Sequence, residues 1–158
     1  MDRRRKLWGY FLLGAYAAAL LWLLFGRARR GVAEVPYLHQ LPLHMNLHPF
    51  RTIRLYLKLL QSGGPNLVRI ALANLLGNVV LFLPMGFLLP LLLPGLRRWY
   101  RVLLTAAGII AAVELLQMVL LVGTCDVDDL LLNLLGAAAG YGLFAYGNSA
   151  GKKQAADS

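Results

Sequence analysis

Apolar residues in this chain come in long blocks rather than short periodic faces. Four stretches, 7–26, 70–96, 102–125 and 130–151, run for 20 residues or more with at most one charge. About 20 apolar residues in a helix cross the hydrocarbon of a bilayer. A spanning segment must satisfy its own backbone, which favours helices. The alternating polarity of a membrane-spanning strand is absent. The pattern predicts an all-α membrane protein with four transmembrane helices, at about 7–26, 70–93, 102–123 and 127–146. The first block begins like a signal peptide. Its core is too long for one, and Arg27-Ala28-Arg29 follows in place of a small-residue cleavage site, so an uncleaved span is expected.

A polar connection follows span 1. Within it, Phe50, Ile53, Leu57 and Leu60 recur at helical spacing, and Arg51, Arg54, Lys58 and Gln61 follow one residue on. Pro49 suits the first helical position. This predicts an amphipathic helix between spans 1 and 2, lying in the interface with its bases toward headgroup phosphates. The alternative is a helix packed on the ends of the bundle. Arg51, Arg54 and Lys58 are the candidate headgroup contacts. Short links make spans 2, 3 and 4 antiparallel neighbours. Residues 1–146 thus form one transmembrane domain, and 147–158 a flexible polar tail.

Within the spans, "GAAAG" (136–140) offers a small-residue face for close helix approach. Pro84 and Pro90 are expected to interrupt and kink span 2, freeing the Val80 and Gly86 carbonyls. Polar residues sit to one side. Asn74 and Asn78 share a face of span 2, Glu114 and Gln117 a face of span 3, and Asp126, Asp129 and Asn133 a face of span 4. At a rise of about 1.5 Å per residue, Asn78 and Glu114 lie roughly 12–13 Å deep, and Gln117 and Asn133 roughly 9 Å. All four occupy the same half of the membrane. They predict a polar pocket opening toward the end that carries Asp126, Asp128 and Asp129. One of these aspartates is expected to cap span 4. Asn74 and Asn133 also suit plain interhelical hydrogen bonds. Glu114, ionised at such depth, needs a cation partner: Arg51, Arg54 or Arg69, a metal ion, or a ligand cation.

Composition sharpens this. The net charge is +9 over 158 residues, yet the bases cluster at span ends: Arg3 to Lys6, Arg27 to Arg30, and Arg97 to Arg101. That distribution indicates membrane anchoring and no nucleic-acid partner. Nine bases lie on the side of the termini and seven on the other, which favours cytoplasmic termini and an outer acidic end. A single cysteine, Cys125, excludes an internal disulfide and is read as a small span-end residue. His39, His44 and His48 lie in the first connection without a metal-binding signature.

The order "NLHPFRTI" (46–53), "NLLGNVVLFLPMGFLLP" (74–90), "VELLQ" (113–117) and "DVDDLLLNLLGAAAGYG" (126–142) resembles the VanZ-like family of bacterial membrane proteins. The motifs cover about 46–142 and add Asn46 to the candidate ligand-binding set of Asn74, Asn78, Glu114, Gln117, Asp126, Asp128, Asp129 and Asn133. One departure stands out. Many members carry an Arg shortly before the first Asp, where this chain has Gly123-Thr124-Cys125, so the carboxylates must find other partners.

The resemblance implies a multi-pass protein of the bacterial cell membrane. It also implies a link to teicoplanin-type glycopeptide resistance, but no settled biochemical activity. The leading expectation is a non-enzymatic protein whose outward pocket binds a lipid, a lipid-linked cell-wall precursor or a lipophilic glycopeptide antibiotic. One alternative is an intramembrane enzyme acting on an envelope lipid. Glu114, Asp126 and Asp129 would then be acid–base groups, or oxygen ligands for a divalent cation. The other is a proton-coupled carrier, a homo-oligomer given the chain's length. No cofactor beyond that candidate cation is expected.

Overall fold

A computed structural model describes residues 3–26, 36–61 and 63–156. Arg27, Arg29 and Arg30 lie outside the described residues.

Six α-helices follow in chain order: α1 (Arg3–Leu21), α2 (Tyr37–Gln40), α3 (Arg51–Gln61), α4 (Pro65–Leu92), α5 (Trp99–Val119) and α6 (Val127–Ala156). A π-helical turn, Trp22–Gly26, extends α1. Four helical segments have the length and apolarity to cross a membrane: Arg3–Gly26, Pro65–Leu92, Trp99–Val119 and Val127–Ser149. Large side chains at mid-span face outward, with Val80 at 63% and Leu104 at 70% exposure. An apolar surface of that extent suits lipid and is costly in water. The protein is an all-α membrane protein.

Its centre is the α4–α6 pair. A Cβ on Gly136 would collide with the Val79 carbonyl, and one on Gly140 with that of Leu83. Gly86 of α4 faces the Ala137 backbone in the same way. These three positions are why the two backbones touch, and packing of this kind drives helix association in lipid, where apolar burial gives little. Phe82, Met85 and Leu89 of α4 meet Ala106 and Ile110 of α5, Ala137 of α6 and Leu20 of α1 in the core. α1 is held by hydrogen bonds from the Tyr16 hydroxyl to the Leu81 carbonyl at 2.9 Å and from Gln117 Nε2 to the Leu24 carbonyl at 3.1 Å.

One expectation is corrected. Pro84 and Pro90 do not interrupt span 2, because α4 is helical through both. Close packing against α6 holds the neighbouring turns, so the missing N–H groups do not end the helix. The backbone of α6 runs on through Ala156. Propagating an existing helix is inexpensive, and Ala, Lys and Gln are good helix formers.

A short parallel bridge ties the first connection to the bundle. β1 (Met45–Asn46) pairs with β2 (Cys125–Asp126), Met45 opposite Cys125 and Asn46 opposite Asp126. α5 ends with Val122 N bonding the Gln117 carbonyl and Leu121 N that of Met118. Leu121 takes the left-handed conformation at φ 53°. This is the Schellman geometry, with leucine where glycine is usual. It turns the chain sharply enough to bring β2 beside β1.

Candidate functional site

The acidic end of the bundle is built from four segments: residues 46–53, the middle of α4, the second half of α5, and the start of α6. Asp126 precedes α6. Its Oδ1 accepts the Asp128 N–H at 2.8 Å, which is an N-cap. Its Oδ2 accepts the Thr52 hydroxyl at 2.6 Å and Asn46 Nδ2 at 3.0 Å. The expected cap of span 4 is therefore present, and the same carboxylate also binds the connection.

Asp128 has a different task. It is fully buried, at 0% exposure, and caps another helix. Its Oδ1 accepts the Phe50 N–H at 2.6 Å. Its Oδ2 accepts those of Thr52 at 2.8 Å and Ile53 at 3.1 Å. Three amides at the start of α3 thus converge on one carboxylate from α6. A negative group there also complements the α3 dipole. Phe50 adopts φ 62° to make this possible, a costly conformation for an aromatic residue.

Asp129, one residue on, turns into the bundle and accepts Asn78 Nδ2 of α4 at 2.5 Å. Glu114, at 5% exposure, accepts the Asp126 N–H at 3.3 Å. The partners of all four carboxylates are peptide N–H groups, amides and a hydroxyl. Among the described residues, the hydrogen-bond partner of Glu114 is the Asp126 peptide N–H, while Arg51 and Arg54 line an outer hollow. Two of the four carboxylates, Asp126 and Asp128, also sit at the N-termini of α6 and α3. Among the described residues, no three His, Cys, Asp or Glu side chains are placed to hold a metal ion.

The remaining candidates divide. Asn46, Glu114, Asp126 and Asp128 join one network with Thr52, and Asn78 and Asp129 form a separate pair beside it. Asn74 joins neither, since its Nδ2 returns to the Ile70 carbonyl of its own helix at 2.8 Å. Gln117 turns to α1. Asn133 is buried at 4% exposure, and its amide oxygen has no partner among the described residues. Asp126 and Glu114 line only a small, mostly apolar cleft of about 210 Å³ with Leu47, Cys125 and Leu130. Burial first, then the nearby Glu114 and Asp126 charges, push the Cys125 thiol above its ordinary range.

Thr52 belongs to the network and was missed by sequence reasoning. So was His44, whose Nδ1 donates to the Gly123 carbonyl at 2.7 Å. The available signal was that Asn46 and Thr52 both fall inside the motif "NLHPFRTI".

α3 is amphipathic as expected, but its inward face is displaced. Thr52, Ile53, Tyr56, Leu59 and Leu60 are half-buried, while Leu55 and Leu57 are exposed. α3 packs on α4 and reaches α6. The network that holds Thr52 and the α3 amides rotates this side of the helix inward. Burial, then the Asp129 and Asp126 charges, raise the Tyr56 phenol above its usual value. On the exposed flank, His48, Pro49, Arg51, Arg54, Leu55 and Lys58 line an open hollow of about 640 Å³. Among the described residues, no acidic side chain lines it.

Fold and site together define a four-span helical membrane protein with a carboxylate-anchored basic helix at one end. The profile of the VanZ/LLP1 family matches residues 13–148, and the chain belongs to that family. The match takes in span 1, which the quoted motifs did not reach. No curated protein and no solved structure matches the chain.

Proposed function

We propose that this protein is a non-enzymatic component of the bacterial cell membrane that binds the phosphate-bearing headgroup of an envelope lipid or lipid-linked cell-wall precursor. The site is the basic hollow on α3, at the outer face, with the termini cytoplasmic. The carrying observation is the hollow's composition: Arg51, Arg54 and Lys58 on one flank of a helix fixed to the span ends, with no carboxylate among the described lining residues. Arginine and lysine donors are suited to phosphate oxygens. The acidic residues serve this reading as supports, because their acceptors are taken by the caps of α3 and α6. A protein that occupies lipid-linked headgroups at the outer surface would reduce access for a glycopeptide such as teicoplanin, in keeping with the family's association with resistance.

The test compares lipids retained by purified wild type and by the triple variant Arg51→Gln, Arg54→Gln, Lys58→Gln, using native mass spectrometry. Wild type is expected to retain phosphate lipids and the variant to lose them. Equal retention by both would refute the reading.

A further inference from the structure

The charge balance of the α3 hollow points to a narrower ligand, and this inference rests on the phosphate-headgroup reading above. Arg51, Arg54 and Lys58 line the hollow together with His48 and two apolar residues. Among the described lining residues, no carboxylate offsets these three cations. The four carboxylates at this end of the bundle accept bonds from Phe50, Thr52 and Ile53 amides, Asn46, Asn78 and neighbouring peptide groups. They are turned away from the hollow's bases.

The spacing is also informative. Arg51 and Lys58 are separated by seven residues, or about 10 Å along the helix axis. Arg51 and Arg54, one turn apart, can grip a single phosphate. Lys58 stands a further turn along and needs a second anionic centre. A zwitterionic phospholipid offers no net charge, and a phosphodiester lipid offers one negative charge on one phosphorus. Two linked phosphates offer two charges on adjacent phosphorus atoms. The hollow's volume of about 640 Å³ accommodates a group of that size. Asp128 already occupies the α3 amides, so recognition falls to the side chains of the helix flank rather than its N-terminus.

We infer that the hollow is a diphosphate site: Arg51 and Arg54 bind the first phosphate, Lys58 the second, and His48 closes the near end. The ligand is a diphosphate carried on a long apolar chain, held where α3 meets the membrane end of α4.

The full-length protein in nanodiscs of zwitterionic lipid tests this. Three probes are titrated: a long-chain alkyl diphosphate, a long-chain alkyl phosphodiester added at equal total charge, and inorganic pyrophosphate. The diphosphate is expected to bind at least about tenfold more tightly than the phosphodiester, equivalent to about 1.4 kcal/mol. Lys58→Gln is expected to remove most of that preference, read as the ratio of the two affinities measured in the same variant. Lys58→Arg is expected to retain the preference. Lys58 is exposed, and α3 helicity in each variant is read by hydrogen exchange. Pyrophosphate is expected to bind more weakly than the alkyl diphosphate; equal binding of the two overturns the long-chain assignment of the ligand. Equal binding of alkyl diphosphate and phosphodiester, abolished by the triple variant, overturns the diphosphate assignment and leaves the headgroup reading intact. Binding of neither overturns both.

Discussion

Replacing Asp128 with alanine removes a single carboxylate from α6 and leaves three amides of a different helix without their acceptor. The residue is fully buried, and its bonds to Phe50, Thr52 and Ile53 are 2.6, 2.8 and 3.1 Å long. A hydrogen bond to a charged group contributes about 1.5–3 kcal/mol, a neutral one about 1. The start of α3 borders exposed Arg51, so water can partly replace the lost acceptor. Taking the lower value for each of three bonds gives about 3 kcal/mol. Such a loss raises local opening by roughly a hundredfold. It falls on α3, because the α4–α6 contact at Gly136 and Gly140 does not depend on Asp128. Hydrogen exchange in detergent micelles is the assay. Amides of 50–61 are expected to exchange about a hundredfold faster in Asp128→Ala, with α4, α5 and the middle of α6 unchanged. Asp128→Asn keeps one acceptor oxygen and is expected to fall between. If α3 exchange in Asp128→Ala stays within about threefold of wild type, equivalent to about 0.7 kcal/mol, the capping account is wrong.

Other outcomes follow from the same contacts. Gly136→Ala and Gly140→Ala place a methyl against the Val79 and Leu83 carbonyls. Each is expected to cost about 1–3 kcal/mol, because backbone cannot yield as a side chain does; thermal unfolding in micelles measures it, and an unchanged Tm would refute the close approach. Asn78→Leu strips Asp129 of its amide donor at about 1–3 kcal/mol, and adding Asp129→Leu is expected to restore part of the loss; strict additivity in the double-mutant cycle would deny the pairing. The Cys125 thiol, raised by burial and then by Glu114 and Asp126, stays protonated to higher pH than a free cysteine. Its alkylation is expected to lag a model thiol at pH 8 and to rise only at more alkaline pH. The neutral thiol's contribution to stability is correspondingly present below the unfolded thiol pKa and lost as pH climbs through the folded one. A thiol that reacts as fast as free cysteine at pH 8 would contradict this.

The sequence alone determined the parts of this protein governed by local chemistry. Apolar runs without charges gave four spans, since span length is set by bilayer thickness and not by partners. The three- and four-residue spacing of Arg51, Arg54 and Lys58 gave a basic helix flank. The 136–140 glycines gave a close helix contact, and the one-sided polar residues gave a polar end of the bundle. Tertiary structure decided what the polar residues do. Asn46 and Asp126, or Thr52 and Asp128, are 80 and 76 positions apart, and no periodicity within one helix reveals which of them meet. Asp126, Asp128 and Asp129 look alike in sequence, yet successive helical residues point about 100° apart. One therefore caps its own helix, one caps α3, and one reaches α4. The same geometry turned Asn74 back on the Ile70 carbonyl of its own helix and set the Asp126 peptide N–H against Glu114. It also set Arg51, Arg54 and Lys58 along an outer hollow that, among the described residues, no carboxylate lines.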